Sequence, residues 1–481
     1  MANGITEFCC RASGSNLNAG TLVGDSTEPG TSPSFIYESG NWDSSTGEFV
    51  VASGNPSSDG VAVTQYASVY VSGTGVTGFI GQVSAVSTTG ITIDLTDHYA
   101  GTAPSTSSGD RSLRIGGAWQ GPNGAEGFPL DFIGDLAASG SDVSIRVNLK
   151  NDQTYAITAA IDAGTDNYRV FQGYQTTYAD KNKAEIQGPA TGTSFVLLTM
   201  SNTGSTGNWW KDLHFNQNGD AAGADWGTLF ASGNSRNGMV RCRFSNMYRD
   251  GLLFNDSDVI LIDCEIDNNG RYGMHNSAGD NIKLHNCYIH DNTSVGYYAA
   301  NSQNRYALMW NCIFANNGGD GARLEQDSGS HLHNCIFYKN AGDGLTLRLA
   351  AEGSVIQDCA FFDNGGYGID WAQTSAGASN LFRNNAFGTG TLANVAGKYR
   401  TTIQPNGEVE GDIEEAADFN PWTDPDNGDF TLKSDSLLIR AGYEFPQAAL
   451  SSTTRNRTIG ATGPAAGGGG GTVASSYSFF S

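Results

Sequence analysis

The chain has 481 residues and a formal net charge of −23, from 26 Lys and Arg against 49 Asp and Glu. That sign works against binding nucleic acid or an anionic membrane, since both partners are polyanions. Only 16% of residues are charged while Gly numbers 64, which excludes a mostly helical chain and calls for many short strands punctuated by turns.

The opening MANGITEFCCRASGSN carries neither a positive n-region nor an apolar h-region, so synthesis in a cytoplasm and a soluble product are expected. No apolar run approaches the roughly 18 residues of a membrane span. Residues 1–120 lack the repeat described below and are read as a separate small β domain. Within it, VTQYASVYVSGTGVTGFIGQVSAVSTTGITIDL alternates apolar and small polar residues, the pattern of a short antiparallel meander. Cys9 and Cys10 lie outside the repeat and receive no role. GGAWQGPNGAEGFP is Gly- and Pro-broken, and a linker is placed over residues 121–139.

From about residue 140 the texture changes. The first coils are expected at SIRVNLKNDQTYAI and through YRVFQGYQTTYADKNKAEIQGP. Then a period emerges. Cys242, Cys264, Cys287, Cys312, Cys335 and Cys359 are spaced by 22, 23, 25, 23 and 24 residues, and Asn269, Asn292, Asn317, Asn340 and Asn364 each follow a Cys by five. Cys and the residue two further on, such as Ile266, Phe314 or Phe361, share an inward strand face by alternation. Asn tolerates a left-handed backbone and bonds to its own copy one coil away, which suits a sharp corner. A Gly then opens a second strand, as in GLLF, GYYA and GARL. A third strand precedes each Cys, with Leu261, Leu284 and Met309 inward. The prediction is an all-β chain: a right-handed, single-stranded parallel β-helix of three strands per coil over residues 140–462, followed by a Gly-rich arm over 463–481.

The cysteine column reads as a reduced core ladder. Disulfides compete with that reading, because coils about 4.8 Å apart fall within the range that a disulfide spans. In-register thiols point in parallel, however, and a cytoplasmic origin disfavours oxidation. Shared metal ligation is a third reading.

This coil pattern resembles the pectate-lyase-like right-handed β-helix superfamily, with DFTLKSDSLLIRAG and TIGA resembling its usual last coil. The opening ITEFCCRASGSNLNAG with GGAWQGPNG resembles the head of bacteriophage β-helix virion proteins, among them tailspikes and capsid decoration (cement) proteins. The first resemblance implies fold and is nearly silent on function. The second implies a homotrimer on the capsid exterior, bound to the major capsid protein through the N-terminal domain, with a host surface glycan as a further partner. It implies no cofactor.

Family enzymes carry calcium-holding carboxylates with an Arg base, or NTD, DD and GHG segments; no NTD, DD or GHG segment occurs here. A catalytic reading therefore rests on an outward stripe two residues beyond each opening Gly: Leu253, His275, Tyr298, Arg323, Thr346 and Asp370. Glu325 and Asp370 fall two coils apart, about 10 Å along the stack, a separation that fits an inverting carboxylate pair. The competing reading is an ordinary solvated or carbohydrate-binding face. Five histidines between 275 and 333 occupy different coil offsets, so no metal site is expected. Finally, the residue after each Cys should face outward, and Tyr288, Ile313, Ile336 and Ala360 make an apolar strip there. Such a strip calls for cover, either by symmetry mates of a trimer or by a segment of the same chain. The expectation is a non-enzymatic virion protein; a tailspike-like receptor-binding or depolymerising protein is the alternative.

Overall fold

The repeat of about 23 residues holds three short apolar runs, each too short for a helix and each ended by a residue that accepts a sharp turn. The computed structural model describes residues 5–10, 35–115 and 144–433, with short interruptions. In it each coil lays down three strands, and successive coils pair in parallel to build three long sheets. Sheet 1 has 12 strands, from Ile5–Cys10 to Glu408–Glu410; sheet 2 has 11, from Thr154–Ala156 to Ile413–Glu415; sheet 3 has 10, from Ile161–Asp162 to Tyr399–Thr401. Among the described residues no helix is long and apolar enough to cross a membrane.

The stack encloses one continuous core, with Leu261, Leu284, Met309 and Leu332 from sheet 1 facing Ile266, Ile289, Phe314 and Phe337 from sheet 2. Phe314, Phe337 and Phe361 stack face to face with centroids 5.0 and 4.8 Å apart, close to the spacing of paired strands. The six cysteines of the repeat are free and buried beside them. Each thiol lies within reach of a main-chain carbonyl, as Cys335 does of Met309 O at 3.5 Å. Burial raises the Cys242 thiol to about 12, so that side chain behaves as a small apolar group.

The asparagine column has a different geometry from the expected one. The left-handed corner falls one residue earlier, at Asn268, Asp291, Asn316, Lys339 and Asp363, with φ between 49° and 55°. Asn269, Asn292, Asn317, Asn340 and Asn364 are buried instead. Asn317 Nδ2 donates to Asn340 Oδ1 at 2.9 Å and to Ile289 O at 3.2 Å, while Asn317 Oδ1 accepts from the Asn292 amide and side chain. The same bonds recur down the column. The Gly that opens each sheet 3 strand serves this packing: a Cβ on Gly321 would sit 2.7 Å from Gly344 O and 2.8 Å from Asn340 Nδ2. Close approach requires Gly there.

The N-terminal domain differs from expectation in its boundary. Strands Tyr66–Val71, Phe79–Val86 and Gly90–Ala100 form the predicted meander, but Phe35–Asp43, Glu48–Val50 and Ser107–Ile115 join them to close a six-stranded barrel. Its core holds Trp42, Phe49, Val69, Ile91 and Leu113. Ile5–Cys10 belongs to the solenoid, pairing in parallel with Ser144–Lys150 so that Cys9 stands opposite Asn148. The barrel is thus an insertion between the first and second strands of sheet 1, and the expected boundary at residue 120 lies outside the described residues. The linker at 121–139 and the arm at 463–481 lie outside the described residues. At the other end, the sequence pattern puts Asp429–Leu432 in a late coil. It pairs antiparallel with Trp422–Asp424 instead, forming a hairpin.

The Asn column and the left-handed column beside it give a direct test. Asn317→Ala strips partners from several buried polar groups at once, each costing roughly 1–3 kcal/mol, and should lower unfolding free energy by at least about 2 kcal/mol. Asn316→Gly, at a left-handed position open to Gly, should stay within about 0.5 kcal/mol of the parent in the same denaturant titration.

Candidate functional site

Outward side chains of a coil stack line up in columns, so any site is a patch on one of three flat faces. On sheet 3 the column beyond the opening Gly runs through Leu253, His275, Tyr298, Arg323, Thr346 and Asp370 in register. It is not uniformly exposed: Thr346 and Asp370 are buried, because the preceding corners carry Asp320 and Asp343 over them. Thr346 Oγ1 lies 2.9 Å from Asp320 Oδ2 and 3.2 Å from Asp343 Oδ2. Burial, with Asp320 and Asp370 beside it, raises the Asp343 carboxyl above its ordinary value.

The two candidate catalytic carboxylates each stand beside an arginine. Glu325 takes Arg323 and also accepts from the Tyr298 hydroxyl at 3.2 Å. Asp370 lies 3.9 Å from Arg348. Arg348 belongs to the strand between theirs, so a guanidinium stands on the coil that separates the two acids.

Further up the same face is a group that sequence reasoning missed. Asp250, fully buried, is gripped by Arg271 through both carboxylate oxygens and approached by His275 at 3.3 Å. Burial alone would raise that carboxyl, but the bonds from Arg271 and His275 outweigh it and hold Asp250 below its usual range. Tyr272 and Tyr298 rings lie 4.7 Å apart, with His275 stacked on Tyr298 at 5.5 Å. Arg271 and Arg323 cap these rings at 4.5 and 5.6 Å, cation–π contacts that hold the rings in place. Adding one coil length to Asp250 lands on Arg271 and Tyr272, and that arithmetic is the signal that would have found the group.

Sheet 2 divides into two halves. Its upper half holds Glu265, Asp267 and His290, whose ligand atoms lie within 4.8 Å of one another, a spacing that fits a metal ion. The surroundings decide against that use. Arg243 donates to both oxygens of Asp267 at 2.8 and 2.7 Å, and Lys183 stands 3.6 Å from Glu265. His290 sets one ring nitrogen on Asp291 at 2.7 Å and the other toward Glu265 at 3.4 Å. Burial would lower the His290 pKa, but those carboxylates raise it to about 9. A divalent ion would have to displace a proton and a guanidinium. The cluster is an ion-pair network. The other histidines are scattered as expected, with His285 and His333 of sheet 1 separated in register by Trp310.

The lower half carries the apolar strip, and here the partner assignment is corrected. Ile313, Ile336 and Ala360 do project outward from the coil, but they are 2%, 0% and 0% exposed. The hairpin Trp422–Leu432 of the same chain lies on them, burying Trp422 and Phe430 against Tyr338 and Phe362. Asp426 of the hairpin bonds the Tyr338 hydroxyl at 2.9 Å and Lys339 at 2.5 Å. Tyr288, half-buried, closes the edge, 6.1 Å from Phe430. An exposed strip of this size would draw any apolar surface, and the nearest supply is the chain itself.

The stack of three parallel sheets around one apolar core defines the class: a right-handed parallel β-helix. The family model described as Right handed beta helix region matches residues 227–390. No curated protein matches the chain significantly. Among solved structures, Geobacillus virus E2 ORF18 is similar at 13% identity and TM-score 0.40, covering 58% of this chain and 55% of its own. The chain therefore spans about half the length of that protein. Pectate lyase Pel9A is similar at 15% identity and TM-score 0.43, covering 66% of this chain and 88% of its own. The Bacteriophage CBA120 tailspike protein 3 is similar at 14% identity and TM-score 0.27, covering 56% and 53%. No residue role is carried over from them.

The hairpin contact predicts that Trp422→Ala, which removes the largest buried ring beneath it, frees residues 421–433. Limited proteolysis should then cut in that segment at least about tenfold faster, with coil circular dichroism unchanged; equal cutting rates would contradict the contact. The ion network predicts a pH profile. The folded pKa of His290 is raised from 6.5 to about 9, so its contribution is full below 6.5 and fades as pH rises toward 9. Glu265 is lowered from 4.5 to about 2, so its contribution is full above 4.5 and fades as pH falls toward 2. His290→Asn should erase the alkaline limb and Glu265→Gln the acid limb, read as the stability difference from the parent protein across pH.

Proposed function

We propose that the chain is a non-enzymatic structural protein of a bacteriophage virion, a homotrimeric decoration (cement) protein that binds the major capsid protein on the shell exterior. One observation carries the non-enzymatic part: both acids of the stripe stand beside an arginine, with Arg348 on the coil between them. A hydrolytic pair needs one free acid and one free base facing a substrate. The continuous coil core and the strapped apolar strip support a stiff spacer. The virus protein and the tailspike of similar fold are compatible with a phage structural role.

A second reading is recognition of a surface glycan in the manner of a tailspike. The cluster of Tyr272, His275 and Tyr298 favours it, because aromatic rings beside guanidinium and carboxylate groups suit sugar rings.

Purified protein mixed with empty capsids should saturate at a fixed stoichiometry and raise the temperature at which the shells open. Failure to sediment with shells would contradict the decoration role. Glu325→Ala and Asp370→Ala should leave shell binding unchanged; glycan cleavage by the parent protein that either substitution abolishes would replace this reading with the enzymatic one.

A further inference from the structure

Sheet 1 has an outer face that neither the hairpin nor the Glu265 network touches. On each strand the central residue points into the core and its two neighbours point out. From Ser144–Lys150 to Leu381–Arg383 the register of ten strands aligns these neighbours in two unbroken columns.

None of the twenty positions is Asp or Glu, in a chain where acids outnumber bases nearly two to one. Four are cationic, Arg146, Lys211, Lys283 and Arg383, and three are His285, His331 and His333. Nine are apolar, including Trp209, Ile260, Ile262, Leu308 and Trp310. Trp310 is 37% exposed and His331 is exposed beside it. Burial, and after it Arg146 and Arg241 nearby, lowers the Lys211 pKa. Acids enter at the two ends and at the margins: Glu7 lies in register with Arg146 on the strand before, Glu408 and Glu410 with Leu381 and Arg383 on the strand after, Asp212 pairs with Arg241, and Asp358 stands 3.0 Å from His333. Apolar side chains on seven of the ten strands, with the acids kept to the ends and margins, suit a protein interface.

The dimensions narrow the occupant. Ten strands at about 4.8 Å span roughly 43 Å, and two columns with their side chains are about 15 Å wide. That is on the order of 600 Å², near the roughly 800 Å² per partner of a stable interface. A flat strip running ten coils along the axis is matched by an object equally long and straight, and a second copy of this chain is one. Charge points the same way. Two copies at −23 repel, so close approach is favoured along a face without acids.

We propose that copies of this chain pack side by side through the outer face of sheet 1. The proposal rests on the multimeric reading above and relocates the contact from the strip that the hairpin occupies. The full-length chain should sediment as a multimer. Leu308→Asp combined with Trp310→Asp should release monomers of unchanged circular dichroism. Tyr248→Asp, at an exposed position off this face, should leave the assembly intact. Ile260→Asp, a single change two strands away in the same column, should raise the dissociation constant about tenfold, equivalent to 1.4 kcal/mol. A multimer insensitive to both the double substitution and Ile260→Asp sinks the face assignment and spares the multimeric reading. A parent protein that stays monomeric at tens of micromolar sinks both.

Discussion

The buried amide ladder is the interaction on which the rest of the structure depends. At the turn from sheet 2 to sheet 3 the backbone leaves one strand pairing before entering the next, and its polar groups face the core. Those groups need partners, and Asn292, Asn317, Asn340 and Asn364 supply them from one coil to the next. Each amide reads the height of the coil above and the coil below, so the stack tolerates no slip in register. The Gly behind each Asn and the left-handed residue before it follow from that packing.

Fixed register has a consequence for chemistry. Every outward residue stands about 4.8 Å from its equivalent on the next coil, so a run of like charges would repel along the whole axis. Pairing between coils is the remedy on two faces. Arg271 neutralises Asp250 from the next coil of sheet 3, and Arg243 neutralises Asp267 on sheet 2. Carboxylates that would look catalytic in isolation are drawn into the mechanics of the stack.

The features legible in the sequence were those the period repeats. Cysteines at 22 to 25 residues and the aromatic two positions on located the core of sheet 2. Inward leucines located sheet 1, and the offset from Cys located the amide ladder. The features that escaped are those the period does not carry. Tyr338 meets Asp426 across 88 residues, and Ile5–Cys10 meets Ser144–Lys150 across the inserted barrel; neither contact has a local signal. Distinguishing the left-handed Asn316 from the buried Asn317 also needed geometry, since both positions favour the same residue type. The arginine beside each candidate carboxylate, Arg323 at Glu325 and Arg348 at Asp370, is likewise a matter of geometry that the spacing does not carry.

The same physics sets what each face can do. Sheet 2 is closed over much of its length, its apolar half by the hairpin and its charged half by ion pairs that bind one coil to the next. Sheet 3 keeps an accessible platform of rings, but the guanidinium and carboxylate groups around it are committed to one another, so it offers shape and stacking more readily than proton transfer. Over its ten middle strands sheet 1 carries no acid in its outward columns, the acids entering with Glu7, Glu408 and Glu410 on the two end strands. In an acidic chain, that is the face along which another acidic surface approaches with the least repulsion, and it extends along ten coils of the structure.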